Sequence, residues 1–149
     1  MRFVIGEQFS VKPYSSAVLA ICGVALIGIG LYFIFLRPVL LPEDARYIGL
    51  SLSEIQNNLP GLSIWLQKVF RVMGGYILTT GLLTVYVART AFRERLRGVS
   101  VLVTFAGITS IGWMSVVNFI IQSDFKWLLL GLTVLWGISL MLFWIEGEK

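Results

Sequence analysis

The charged residues of this sequence divide it into four long runs that carry no charge. These runs are 13–36, 72–88, 98–123 and 127–145, and Leu, Ile, Val, Gly and Phe dominate all of them. A charged side chain at the centre of a bilayer costs about 2.5–3.5 kcal/mol on insertion scales, and a helix needs about 20 apolar residues to cross the hydrocarbon. The pattern therefore predicts four transmembrane helices, at about 15–36, 67–90, 98–121 and 127–145.

Two of these runs allow more than one assignment. The second is short for a span, and good helix formers continue from Leu62 to Arg97, which as one helix would be about 54 Å long. Gly74-Gly75 is the expected place for a bend in it. The first run is too long for the core of a signal peptide and ends at Pro38 without a small-residue cleavage site, so we expect it to remain as a span.

The connection 89–97 predicts the orientation of the chain. It contains one acidic residue and four arginines, Arg89, Arg93, Arg95 and Arg97. Short loops rich in arginine stay in the cytoplasm, so we expect these side chains to fix the topology and to contact anionic lipid headgroups. Both termini then lie in the cytoplasm, and residues 37–66 lie outside. The expected location is a bacterial inner membrane.

Composition supports a single membrane domain of the all-α class, a four-helix bundle. The 149 residues are 57% hydrophobic and 13% charged, whereas soluble domains carry roughly 25% charged residues. The sequence has no histidine and one cysteine, Cys22, which excludes imidazole catalysis, His-bound zinc or haem, and internal disulfides. We predict no catalytic set, no metal and no cofactor. The sequence contains no stretch of Lys and Arg with aromatic residues between them, so it gives no indication of nucleic-acid binding.

Residues 37–66 form the longest predicted connection, and the sequence predicts that it is partly helical. Ser51 and Glu54 have the spacing of a capping box, which would open a short helix through about Asn57. Several apolar side chains nearby are unusual for a solvated loop. The segment is therefore expected to lie on the membrane surface or to cover the helices as a lid. The alternative is an ordered connector without a further role.

Neutral polar residues on helix 3 suggest a binding site. Ser115, Asn118 and Gln122 stand at i, i+3 and i+7, which places them on one face. Arg71 enters at the same depth from helix 2, and acidic residues stand in the nearby connections: Glu43, Asp44 and Asp124. We hypothesise an outward-facing pocket in which Arg71 binds a phosphate or carboxylate headgroup.

Each of these residues also has a purely structural interpretation. Arg71 would extend to lipid phosphates, Asn118 would hydrogen-bond a neighbouring helix, and Asp124 would cap helix 4. Small residues four apart are expected to provide the packing contacts between helices. These pairs are Ser16/Ala20, Gly75/Thr79, Ala106/Ser110 and Thr133/Gly137.

The sequence leaves two functions open. The first is a protein that acts by binding, either as an accessory subunit of a membrane complex or as a binder of lipid-like molecules. The second is an enzyme or transporter for a lipophilic substrate, although no span contains a charged residue of the kind that proton-coupled transport uses. Expected partners are membrane lipids, and another membrane protein or a second copy of the chain.

Overall fold

The structure is a computed structural model that describes residues 13–147. Residues 1–12 and 148–149, which the orientation prediction places in the cytoplasm, lie outside the described residues. Four helices are long and apolar enough to cross a membrane: α1 (Tyr14–Leu36), α4 (Pro60–Arg89), α5 (Val99–Ile120) and α6 (Lys126–Gly147). Two short helices, α2 (Pro42–Ile48) and α3 (Leu52–Asn58), lie between α1 and α4. The structure thus confirms an all-helical chain, without strands from Pro13 to Gly147.

The second predicted span differs most from expectation. Helix α4 begins at Pro60, where the missing N–H of proline costs nothing because the first turn of a helix leaves its N–H groups unpaired. It ends at Arg89, because Thr90 has φ −116° and ψ −103°, outside the helical region. The helix therefore ends within one residue of the predicted bound at about 90 and does not continue through the helix formers up to Arg97. Residues 90–98, here called the arginine turn, instead reverse the chain, with Arg95 at φ 54°.

The helices pack in the order α4–α1–α6–α5, so α1 lies between α4 and α6. The α1–α4 contact is the closest because glycines at seven-residue spacing let the backbones touch: Gly23 and Gly30 on α1, and Gly74 and Gly81 on α4. A Cβ atom at Gly30 would lie 2.8 Å from the Cα atom of Leu78. Small residues permit such close approach between helices in lipid.

Helix α6 is held on both sides by buried side chains that donate to backbone carbonyls of its neighbours. The Nε1 atom of Trp136 donates to the Val103 carbonyl on α5 at 3.1 Å, and the indole covers Gly107. The hydroxyl of Ser139 donates to the Ser15 carbonyl on α1 at 3.0 Å. Such bonds average about 0.6 kcal/mol each between membrane helices. Together they fix the rotation of α6 against α1 and α5.

A polar network closes the end of the protein that contains the arginine turn. The Glu146 carboxylate accepts hydrogen bonds from the backbone N–H of Ser15 at 3.2 Å and from its hydroxyl at 2.7 Å. The Arg95 guanidinium pairs with the same carboxylate at 3.1 Å, donates to the Phe143 carbonyl and lies over the Phe143 ring. Arg95 therefore connects the arginine turn to α6 rather than extending freely into its surroundings.

The connecting segment, defined here as residues 37–59, contains the predicted capping box at the start of α3. Ser51 Oγ accepts from the Glu54 N–H at 3.2 Å, and Glu54 Oε2 accepts from the Ser51 N–H at 2.8 Å. The prediction is confirmed, and the helix ends one residue later than expected, at Asn58. The hydrogen bonds from the Ser51 side chain and backbone lower the pKa of the Glu54 carboxyl.

Replacing Ser51 with alanine should destabilise α3 locally by about 1 kcal/mol, because the cap then leaves a helix N–H unpaired. Hydrogen exchange of the α3 amides would measure the effect, with Gln56→Ala on the exposed side of α3 as the control. The pKa of Glu54 is lower in the folded chain than in the unfolded chain. The stabilisation of α3 by the Glu54 carboxylate is therefore complete above the unfolded pKa and is lost as the pH falls through the folded pKa. Equal amide protection in both variants would contradict the assignment.

Candidate functional site

A cavity of about 630 Å³ lies between α1, α5 and α6, and the connecting segment closes one end of it. Most of its lining is apolar, from α1 (Ala25, Ile29, Phe33), α5 (Met114), the turn after α5 (Ile121) and α6 (Leu128, Leu132, Leu135). Its charged residues are all at the closed end: Arg37, Glu43 and Asp44. The cavity is therefore amphipathic, with a long apolar part and a polar end.

The end of α1 positions the first of these charges. The last five residues of α1, Tyr32–Leu36, form a turn of π-helix, and the Arg37 N–H donates to the Tyr32 carbonyl at 2.8 Å. Arg37 then leaves the helix with extended backbone, at φ −65° and ψ 123°. Single π turns are frequent at functional sites. This one places Tyr32 and Arg37 together in the lining of the cavity.

The Arg37 side chain is fixed on several sides, and only 8% of it is exposed. Its guanidinium pairs with the Asp44 carboxylate at 3.2 Å and donates to the carbonyls of Pro38 and Val39. The guanidinium carbon lies 3.6 Å from the centroid of the Phe70 ring on α4. Asp44 is also fixed, since it accepts from the Leu41 N–H at 2.8 Å. The positive charge of Arg37 is thus matched within the protein.

Glu43, in the first turn of α2, is the most buried charged residue of the site, with 2% of its surface exposed. Its Oε1 atom accepts a hydrogen bond from the Ser123 hydroxyl at 3.3 Å. No ion pair to Glu43 exists within residues 13–147. The lining therefore contains two carboxylates and one guanidinium, a formal charge of −1.

Helix α2 is also attached to the turn between α5 and α6. Arg46 donates to the Gln122 carbonyl at 3.1 Å and lies 3.6 Å from the Asp124 carboxylate. Both members of this pair are largely exposed, so it contributes little to stability. Together with the Ser123–Glu43 hydrogen bond, these contacts hold α2 across the end of the cavity.

The cavity is open at its side, at the level of the long helices. Gly28 on α1 and Gly131 on α6 both line it, both are exposed, and nothing lies within 4 Å of a Cβ atom built on either. The connecting segment is near the Leu36 end of α1 and the Lys126 end of α6. At 1.5 Å per residue, Gly28 is about 12 Å from the first of these ends and Gly131 is about 8 Å from the second. Neither residue therefore places a side chain between the cavity and the surroundings of these helices.

The structure brings some of the predicted site residues together and separates others. Glu43, Asp44 and Asn118 line the cavity. The Nδ2 atom of Asn118 donates to the Met114 carbonyl of its own helix at 2.9 Å. Ser115 is buried one turn earlier and is not in the cavity lining. Arg71 lies on the exposed side of α4, also outside the lining.

The remaining predicted residues lie at the surface. The Gln122 side chain accepts from Lys126 at 2.6 Å, and the Asp124 side chain faces Arg46. At the opposite end of the protein, Arg89, Arg93 and Arg97 are exposed. Arg89 and Arg93 border a second cavity, of about 640 Å³, along the first turns of α1. In the described part of the chain, no group of three metal-ligating side chains occurs.

Sequence reasoning missed Arg37, Tyr32 and Ser123 as site residues. Arg37 directly follows an uncharged run, and this position by itself indicates only a boundary of the span. Its contact with Asp44 depends on the chain turning back through Pro38 and Pro42, which no periodicity reveals. Ser123 gave no signal, because one serine in a short turn is common.

Comparison of the chain with family models, with curated proteins and with solved structures finds no match.

Proposed function

We propose that the protein crosses the membrane as a four-helix unit and binds a lipid-like molecule in the cavity between α1, α5 and α6. The arginine turn lies in the cytoplasm by the positive-inside rule, which places the connecting segment outside. The cavity then lies in the outer half of the bilayer. Its side opening at Gly28 and Gly131 faces the hydrocarbon, so that a lipid can enter without leaving the membrane.

The observation that carries this proposal is the separation of apolar and charged lining within one cavity. Each CH₂ group of a hydrocarbon chain gains about 0.8 kcal/mol when it leaves water, but it gains little when it moves from lipid into the protein. Selective binding therefore has to come from fit and from the polar end. The volume of about 630 Å³ is in the range of small-molecule sites. Arg37, Glu43 and Asp44 provide the polar contacts at the position where a headgroup would lie.

Turnover or transport of such a molecule is the second candidate function. The observation that favours it is Glu43, the only charged residue among those that are buried in the described chain. A buried carboxylate at the headgroup end would face the polar group of the substrate in either process. Binding is the common first step, so it is the property to test first.

Filling the cavity should remove the bound molecule. A Cβ atom at Gly28 or Gly131 meets no neighbouring atom, and leucine is a better helix former than glycine, so neither substitution is expected to strain the helix backbone. Native mass spectrometry of protein extracted in mild detergent should show a lipid-sized adduct on the unaltered chain, reduced about tenfold in Gly28→Leu and Gly131→Leu. Gly75→Leu, on α4 and equally free of neighbours, is the matched control.

Two results would contradict the proposal. The first is an equal adduct in all four proteins, which would assign it to lipid bound around the outside. The second is the absence of any adduct together with a second protein at fixed stoichiometry, which would favour an accessory subunit.

A further inference from the structure

We infer that the molecule bound in this cavity has a cationic, ammonium-type headgroup, and that Glu43 is its counter-charge. This inference rests on the proposed binding function and specifies the class of ligand. It reverses the expectation of an anionic headgroup, which assumed that Arg71 was the free cation of the site.

The first step is that the guanidinium in the lining is already neutralised. Arg37 is paired with Asp44, donates to two backbone carbonyls and stacks on Phe70. A phosphate or carboxylate would have to displace Asp44 and would bring a second negative charge next to Glu43. Like charges at such close range are unfavourable, and more so where little water is present. The site therefore discriminates against anionic headgroups.

The second step is that Glu43 has no charged partner among residues 13–147. A buried carboxylate is costly unless it is paired and hydrogen-bonded, because burial removes its hydration. Within the part of the chain that the structure describes, the Ser123 hydroxyl is its hydrogen-bond donor, and no cation is paired with it. An ammonium group in the cavity would supply the missing positive charge and would bring the formal charge of the lining to zero.

The third step is the presence of aromatic side chains at the same end. Tyr32 and Phe125 both line the cavity, and their ring centroids are 6.3 Å apart with the planes inclined at 52°. Cations bind to the faces of such rings, and the attraction is stronger where water is excluded. The apolar part of the cavity accommodates a hydrocarbon chain attached to the cation. The complete site fits an amphiphile with one positive charge at its end.

Two amphiphiles with the same tail test this inference. Dodecylammonium and dodecyl sulfate carry identical twelve-carbon chains and opposite charges. Each would be titrated into the protein in dodecyl maltoside micelles, and the single adduct measured by native mass spectrometry. We expect dodecylammonium to bind at least ten times more tightly than dodecyl sulfate to the unaltered chain. Equal affinities, or a preference for the sulfate, would overturn the inference without any substitution.

Substitutions then locate the preference. Glu43→Gln keeps the shape of the side chain and removes its charge, and it should reduce the preference for the cation about tenfold. Asp124→Asn, which removes an exposed acid outside the lining, should leave it unchanged. A preference that survives in Glu43→Gln would overturn the assignment of Glu43.

The same titration separates the inference from the proposed function. If Gly131→Leu excludes both amphiphiles and the charge makes no difference, the cavity binds amphiphiles and the inference about the headgroup is wrong. If Gly131→Leu changes the binding of neither, the proposed function fails as well.

An ethanolamine or choline lipid and a free lipophilic amine share this ammonium chemistry. Competition against bound dodecylammonium distinguishes them as sources. Displacement by a phosphatidylethanolamine in the same micelles indicates the lipid. Displacement by further alkylamines alone indicates that a phosphate next to the ammonium is not accepted. Displacement by phosphatidylglycerol, which has no ammonium group, would contradict the inference.

Discussion

Replacing Gly30 with leucine is expected to force α1 away from α4 and to lower the free energy of unfolding by about 3 kcal/mol. The new Cβ atom would lie within 3 Å of the Leu78 backbone, which cannot change rotamer to make room. Overpacking of a tight contact typically costs about 1–3 kcal/mol, and a contact with backbone belongs at the upper end. Unfolding in mixed micelles with increasing dodecyl sulfate, followed by circular dichroism, measures the change.

Gly28→Leu is the matched control for this substitution. It lies two residues earlier on the same helix, and its Cβ position is free of neighbours. Because both variants add the same side chain, a difference between them reports the α1–α4 contact and not the helix propensity of leucine. If Gly30→Leu unfolded at the same dodecyl sulfate fraction as Gly28→Leu, the close packing of α1 on α4 would be refuted.

The second large effect is expected from Glu146. Truncation to alanine leaves the Arg95 guanidinium without its partner and the Ser15 hydroxyl and N–H without their acceptor. The Glu146 and Arg95 side chains are 11% and 32% exposed. Breaking a fully buried pair costs about 3–5 kcal/mol, so a loss of about 2–3 kcal/mol is expected for this partly buried one. The same unfolding titration measures it.

A double-mutant cycle separates this network from a general effect of charge. Arg95→Ala should be destabilising by itself, and Arg95→Ala combined with Glu146→Ala should cost less than the sum of the two. Glu94→Ala, an exposed acid next to Arg95 in the sequence, should be within about 0.5 kcal/mol of the unaltered protein. Additive effects in the cycle would show that Arg95 and Glu146 do not interact in the folded protein.

The four long helices were predictable because the cost of burying charge in lipid acts on each residue separately. The charge-free runs located all four to within a few residues at most ends. The exception was the start of α4 at Pro60, which lies well before the predicted bound at about 67 and depends on a single residue with specific backbone geometry. The capping box at Ser51 was also predictable, because it depends only on residues that are close together in the sequence.

Contacts between helices were not predictable in the same way. Small residues recur throughout the chain, and four-residue spacing selected Gly75 and Thr79 rather than the contacting Gly74 and Gly81. The reason is geometric, because the face of a helix that meets a neighbour depends on a rotation that sequence spacing leaves undetermined. The order of the helices has the same origin, since α4 and α5 follow each other in the chain without packing side by side.

The candidate site was predicted in part for related reasons. Polar residues near the ends of helices are rare enough in this chain to be noticed, so the sequence indicates Glu43, Asp44 and Asn118 as candidates, and the three residues line the same cavity. Which cation accompanies them depends on the path of residues 37–44 in space. Arg71 has the right depth along α4 but lies on the exposed side, whereas Arg37 reaches Asp44 directly.

The order α4–α1–α6–α5 makes this protein a pair of helical hairpins that are each continuous in sequence. One hairpin is α1 with α4, the other is α5 with α6, and the interface between them is formed mainly by α1 against α6. The cavity lies at this junction, since α1 contributes one wall and α5 and α6 contribute the others. Its width is therefore set by how the two hairpins pack against each other, and not by the packing inside either one. A substitution within the α1–α6 interface would change the cavity directly, whereas one inside a hairpin would change it only by moving that interface.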